Sequence, residues 1–170
     1  MQILPCSTRI NLASSFSDLP TGDRVENLKE AVAADQAALR ICTQKDFPVE
    51  WARAQNTLGK VYTDLVTGDR AENLKKAITA YVTALLVYTE QDFPFEWAMT
   101  QNNLGIAYAD LPTGNRSENL TQAVTAYQAA LRVVTEKDFP DAWATTQNNL
   151  GVTYADLPTG DRCGYARACG

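Results

Sequence analysis

Hydrophobic residues recur every three to four positions along most of the chain, which is the pattern of amphipathic helices. One predicted helix runs from about Pro48 to Leu65, where the proline suits a first helical turn. The next starts at Asp69, with Glu72 three residues later as a capping box, and ends near Gln91. No stretch alternates apolar and polar residues as a strand would, so the sequence predicts an all-α protein.

This pair of helices is repeated along the sequence. The segment that begins Asp-Leu-Pro-Thr-Gly-Asp-Arg at Asp18 returns, with small changes, at Asp64, Asp110 and Asp156, in steps of 46 residues. A fixed period of this size is typical of solenoids, in which each unit buries its apolar face against its neighbours. We therefore predict an α-solenoid of about seven helices arranged in antiparallel pairs.

The 170 residues are interpreted as one repeat domain. Residues 1–17 supply a partial first helix, three full periods span 18–63, 64–109 and 110–155, and 156–170 form a truncated, divergent tail. The chain thus starts and stops within a repeat, although solenoid ends normally need polar caps. Three interpretations stay open: a fragment of a longer array, a tail foreign to the repeat, or uncapped ends that associate with another copy.

Two copies carry a motif on both of their helices, Leu-Gly-x-x-Tyr on the first and Ala-x3-Tyr-x2-Ala on the second, and a third copy carries the first half as Leu150, Gly151 and Tyr154. In the first full copy these residues are Leu58, Gly59, Tyr62, Ala77, Tyr81 and Ala84. The motif resembles the tetratricopeptide repeat (TPR), and this resemblance implies a right-handed superhelix that binds proteins or peptides. The 46-residue unit is longer than the family's usual unit of about 34 residues. It resembles the long repeats of kinesin light chains and the arrays of cyanobacterial signalling proteins that carry caspase-like or ATPase domains.

One face of the first helix differs in every copy. In TPR arrays the first helices line a concave groove, so the resemblance implies that these variable positions face a ligand. They are Val49, Phe95 and Asp141; Arg53, Met99 and Thr145; and Lys60, Ile106 and Val152. A groove that grades from cationic through apolar to weakly acidic would suit a peptide with an acidic end and a bulky apolar anchor. Neutral drift on a solvated face is the alternative.

Within this variable face one asparagine is constant, as Asn56, Asn102 and Asn148. A side-chain amide both donates and accepts, so a ladder of amides could hold a peptide by its main chain. The resemblance to kinesin-light-chain repeats implies cargo-peptide binding for a double asparagine, which Asn102-Asn103 and Asn148-Asn149 match. Bridging between adjacent helices is the structural alternative.

Composition narrows the classes of function. Fifteen Lys and Arg against 20 Asp and Glu give a net charge of −5, which argues against nucleic-acid and anionic-membrane partners. The absence of histidine removes every mechanism that uses imidazole as base, acid or ligand. No apolar run approaches the length of a membrane span. We expect no catalytic residue, metal or cofactor, and a soluble protein of the cytoplasm.

The first repeat departs from the later ones at one position. Asp35 stands where the other copies have Tyr81 and Tyr127, which predicts a degenerate first repeat that is open to water at this site.

The cysteines contain no Cys-x-x-Cys pair, so neither a disulfide framework nor a zinc site is expected. They are Cys6, Cys42, Cys163 and Cys169.

The sequence therefore predicts a non-catalytic scaffold that binds a protein or peptide in its groove. Two other functions remain alternatives: a regulatory segment of a larger signalling protein such as a caspase-like protease or ATPase, and a self-assembling structural array. Homo-oligomers through the uncapped ends are part of the last alternative.

Overall fold

The computed structural model describes residues 6–17 and 22–158. Within these residues there are seven α-helices and no β-strand, which confirms the all-α fold. Helices that follow one another along the chain pack together in pairs, an arrangement consistent with an α-solenoid. The helices are α1 (Cys6–Ser17), α2 (Arg24–Leu39), α3 (Pro48–Asp64), α4 (Arg70–Ala84), α5 (Pro94–Asp110), α6 (Arg116–Leu131) and α7 (Pro140–Asp156).

The predicted helix starts are confirmed. Proline occupies the first turn of α3, α5 and α7, where its missing N–H has no intrahelical partner to lose. Asp69 caps α4 by accepting hydrogen bonds from the backbone N–H groups of Ala71 and Glu72, at 2.9 and 3.2 Å. Asn115 caps α6 in the same way. The caps hold the turn before each second helix in one conformation.

The predicted end of the second helix is wrong. Helix α4 stops at Ala84 rather than near Gln91, and residues 85–93 form successive turns. Tyr88 lies within these turns and is only 3% exposed, so the segment packs against the core. Thr89 and Asp92 then exchange two hydrogen bonds, hydroxyl to carboxylate and backbone N–H to hydroxyl, that stabilise a turn where the helix would have continued.

Successive repeats are joined by exposed ion pairs. The arginine at the start of each second helix contacts an aspartate 40 residues later, at the end of the next first helix. The repeated Asp-Leu-x-Thr-Gly-x-Arg turn thus supplies both partners of these ion pairs. The pairs are Arg24 with Asp64 (3.2 Å), Arg70 with Asp110 (3.0 Å) and Arg116 with Asp156 (3.3 Å). Asp18 and Arg162 lie outside the described residues.

The recurring glycine of the first helix lies under an aromatic ring. A Cβ atom on Gly59 would be 2.6 Å from Cε1 of Tyr81, and one on Gly105 would be equally close to Cε1 of Tyr127. Real carbon atoms do not approach this closely, so glycine is required at both positions. The two helices of each pair are brought together by this contact, as the repeated Leu-Gly-x-x-Tyr motif predicts.

The pair formed by α1 and α2 packs differently. Ala13 stands at the glycine position and Asp35 at the tyrosine position, so the larger residue on α1 faces a smaller one on α2. Contrary to the expectation of a site open to water, Asp35 is 0% exposed. Among the described residues neither carboxylate oxygen finds a hydrogen-bond partner, and burial raises the pKa of Asp35 to about 8.

A disulfide joins Cys6 of α1 to Cys42, just after α2. The sequence analysis expected no disulfide framework, and it did not identify this single pair. The omission has a simple cause, because the partners are 36 residues apart and meet only when the two helices fold back on each other. Cys163 and Cys169 lie outside the described residues.

Candidate functional site

Two cavities lie between α3 and α5, and they are lined by residues of the variable face. The first has a volume of 390 Å³. Helix α3 contributes Val49, Arg53 and Asn56 to its wall, and α5 contributes Phe95 and Met99. The structure thus brings together five positions that the sequence predicts to be part of a groove.

The second cavity, of 360 Å³, lies further along the same two helices. It is lined by Lys60 from α3 and by Met99, Asn103 and Ile106 from α5, with the ring of Tyr81 behind them. Met99 belongs to both cavities, so they adjoin at this one flexible side chain.

An aromatic contact joins the start of α5 to the residue that precedes α7. The ring centroids of Phe95 and Phe139 are 4.8 Å apart, and Phe139 immediately precedes α7. The predicted groove residues of α7 itself line neither cavity. Asp141, Thr145, Asn148 and Val152 are exposed, and Asn149 is half-buried. The predicted groove residues of α7 therefore lie on an open surface, whereas those of α3 and α5 line cavities.

The constant asparagines lie in three different environments. Asn56 is half-buried, and its Oδ1 accepts a hydrogen bond from the hydroxyl of Thr100 over 3.2 Å. Asn102 is only 4% exposed, and its Oδ1 accepts from Nδ2 of Asn149 over 3.2 Å. Asn148 is exposed. Both bonded amides join one first helix to the next, which is the structural alternative to a peptide-binding ladder.

The first cavity contains groups of both charges. Nε of Arg53 is buried and has no hydrogen-bond partner in the part of the chain that the structure describes. Glu96 lines the same cavity. Burial raises the pKa of Tyr88 to about 12, with the negative charge of Glu96 adding to this effect and the positive charge of Arg53 opposing it. The cationic end predicted for the groove is therefore balanced by a carboxylate, and in the second cavity Asp64 stands beside Lys60 in the same way.

Several lining residues were missed by the sequence analysis. Tyr88 and Phe93 close the first cavity from the segment between α4 and α5. Residues 85–91 were predicted to belong to α4, and no role was predicted for Phe93, which belongs to an Asp-Phe-Pro motif before the first helix. Its recurrence as Phe47, Phe93 and Phe139 is a signal that could have identified it.

Residues of the kind that hold a metal do not gather in the part of the chain that the structure describes, since no group of three or more Cys, Asp or Glu side chains is suitably arranged there. In the same part of the chain, none of the helices combines the length and the apolar character needed to cross a bilayer. Comparisons with models of known families, with curated proteins and with solved structures give no match.

Proposed function

We propose that this chain is a non-catalytic scaffold of the tetratricopeptide type that binds a peptide, or an extended segment of a partner protein, between α3 and α5. One observation carries the proposal: positions that differ from copy to copy meet around two adjoining cavities. Arg53, Phe95 and Met99 surround the first, and Lys60, Met99 and Ile106 the second. A surface that selects among ligands needs such variation at the contact positions, whereas packing positions need constancy.

The lining residues define the ligand's chemistry. Cavities of 390 and 360 Å³ each accommodate one large side chain. Phe95 and Met99 favour an apolar or aromatic anchor, because both present apolar surface and methionine adapts its shape to the occupant. The unpartnered Nε of Arg53 favours one hydrogen-bond acceptor, best a carboxylate, next to that anchor. Glu96 disfavours a second carboxylate in the same cavity.

An array of random peptides, probed with the intact chain, tests this proposal. We expect the selected peptides to combine an apolar anchor with an acidic neighbour. Met99→Ala should weaken their binding by about tenfold or more, since a large apolar contact is lost. Arg53→Met should reduce the preference for the acidic residue and leave the preference for the anchor.

Val82→Ser supplies a matched control, because Val82 is 47% exposed on α4 and lines neither cavity. Peptides that bind the control and the wild type equally, but not Met99→Ala, would support the site. Peptides that bind all variants equally would place the contact elsewhere, and an array without selective binding would contradict the proposed function.

A cytoplasmic location stays a prediction. The Cys6–Cys42 disulfide is more typical of oxidising compartments, since disulfides are rare in the cytosol.

A further inference from the structure

The Cys6–Cys42 disulfide occupies a pair of positions that the later repeats fill with apolar side chains. The equivalent residues are at most 3% exposed and belong to one hydrophobic cluster. They are Ala52 with Tyr88, and Ala98 with Val134. Between α1 and the segment after α2, a covalent bond thus takes the place of packing.

The same helix pair lacks the contact that closes the later pairs. In those pairs a tyrosine ring lies on a glycine, as Tyr81 does on Gly59. Ala13 and Asp35 stand at these positions in α1 and α2, and both are 0% exposed. Asp35 has no ring to bury, and among the described residues its carboxyl oxygens have no hydrogen-bond partner. Burial of such a group opposes closure of the helix pair.

Little other apolar surface holds α1 in place. Among its described side chains, Ile10 is the one large side chain that is fully buried, at 1% exposed. Ile10 packs with Ala38 and Ala54, and Phe16 is half-buried against a second cluster that includes Val61. The non-covalent contacts of α1 are therefore few, and the buried carboxyl of the same helix pair works against them.

The carboxyl of Asp35 also distinguishes the closed helix pair from an open one. Burial raises the pKa of Asp35 to about 8, and no charged side chain described on α1, α2 or α3 contributes to this shift. Asp35 is therefore mostly uncharged at neutral pH while the helices are together. When α1 separates, water reaches the carboxyl, which releases its proton, and the resulting charge resists a return to the closed arrangement.

We propose that the contact between α1 and α2 is a redox-controlled joint, which the Cys6–Cys42 disulfide keeps closed and which opens when a dithiol reduces this bond. The cavities between α3 and α5 take no part in the joint, so it does not rest on the function proposed for them. The later helix pairs, closed by Tyr81 and Tyr127, stay together in either state.

The chemical step is thiol–disulfide exchange. A thiolate of the dithiol attacks the disulfide, and attack is expected at Cys6, which is 8% exposed, rather than at Cys42, which is 0% exposed. Cys42 leaves as a thiolate, and the second thiol of the reagent then displaces Cys6 from the mixed disulfide. Two electrons and two protons pass to the cysteines, and the dithiol becomes a cyclic disulfide.

Hydrogen–deuterium exchange of the intact chain at pH 7, with and without dithiothreitol, measures the state of the joint. We expect the backbone amides of α1 to exchange about tenfold or more faster after reduction, and those of α5 and α6 to stay within about twofold of their original rates. Reoxidation with oxidised glutathione should restore the slow exchange of α1. A Cys6→Ser/Cys42→Ser variant should show fast exchange of α1 in either condition, which excludes an effect of the other cysteines.

Substitutions taken from the later repeats test the part that Asp35 plays. Ala13→Gly/Asp35→Tyr gives this pair the glycine and the tyrosine of the later pairs, so α1 should stay protected after reduction. Asp35→Leu removes the carboxyl without a change in α1 and should act in the same direction. Ala33→Thr is the matched control, because Ala33 is exposed on α2 and the later repeats have Thr79 and Thr125 there. This variant should open as wild type does.

Three results would overturn the proposal. Equal protection of α1 with and without dithiothreitol would show that its non-covalent contacts suffice. Faster exchange in all seven helices after reduction would indicate a loss of global stability instead of a joint. Opening of both Asp35 variants as readily as wild type, with circular dichroism showing unchanged helix content, would remove Asp35 from the mechanism.

Discussion

Nδ2 of Asn149 donates a hydrogen bond to Oδ1 of Asn102, with 3.2 Å between the two atoms, and so joins α7 to α5. Asn102 is 4% exposed, whereas Asn148, its counterpart one repeat later, is exposed. Two asparagines at the same repeat position thus differ in what they contribute. The first is a buried bridge between helices, and the second is a surface residue.

This difference predicts unequal effects of the same substitution. Asn102→Ala should lower the free energy of unfolding by about 1–3 kcal/mol, because the amide of Asn149 loses its acceptor. Asn148→Ala should change it by no more than about 0.5 kcal/mol, as is usual for an exposed residue. Urea unfolding followed by circular dichroism measures both. Equal destabilisation by the two substitutions would contradict the bridging role of Asn102.

Alanine substitutions at the equivalent glycines Gly105 and Gly151 should change stability in opposite directions. Gly105→Ala should destabilise the chain by about 1–3 kcal/mol, because the new methyl group overlaps the ring of Tyr127. Gly151→Ala meets no atom within 4 Å and should stabilise the chain by up to about 1 kcal/mol through helix propensity. Thermal unfolding of the two variants beside wild type provides the comparison. If both shift the melting temperature in the same direction, the ring contact is not the cause.

Asp35 predicts a fall in stability as pH rises. Its pKa is about 8 in the folded chain and 3.8 for an aspartate in water, so between about pH 4 and pH 8 the unfolded state releases a proton that the folded state keeps. Unfolding is favoured progressively through this window, with a slope approaching about 1.4 kcal/mol per pH unit for one proton. Above about pH 8 the contribution levels off. Urea unfolding at a series of pH values measures it.

Asp35→Asn isolates this effect, since the amide is similar in size and does not titrate. The difference in stability between the variant and wild type should grow from pH 4 to pH 8 in favour of the variant and then stay constant. Parallel stability curves for the two proteins would show that Asp35 titrates normally and is not buried as the structure has it.

The Cys6–Cys42 disulfide predicts that reducing agent destabilises the first helix pair. The bond closes a loop between residues 36 apart, and loops of this order contribute about 2–4 kcal/mol through the unfolded state. Dithiothreitol should therefore lower the melting temperature of wild type. A Cys6→Ser/Cys42→Ser variant should melt at the reduced wild-type temperature with or without the reagent. A reagent effect that persists in the variant would assign it to other cysteines.

The helix starts were predicted well, because the residues that determine them lie within a few positions of each start. Proline at the first turn and the Asp69 cap act within four residues, so the starts of α3 and α4 follow directly from the sequence. The end of α4 does not, because it depends on the burial of Tyr88 against other helices and on the Thr89–Asp92 hydrogen bonds. Residues after Ala84 keep a helix-compatible composition and still form turns.

The candidate site could be predicted only as far as a comparison of the repeats with one another separates constant from variable positions. That comparison selected Arg53, Phe95 and Met99, which do meet at one cavity. It could not show that Glu96 lines the same cavity as Arg53, since the two residues are on different helices and 43 positions apart. The disulfide and the burial of Asp35 were missed for the same reason, because both arise from packing between α1 and α2.

Because Met99 forms part of both cavities, its rotamer sets the space available in each. An occupant that pushes the thioether out of one cavity narrows the other. In the peptide complex proposed above, two side chains of one ligand would therefore be coupled in their affinity, even though neither would touch the other. A ligand's preference at one position will depend on which residue it carries at the next, so substitutions in a bound peptide are expected to be non-additive.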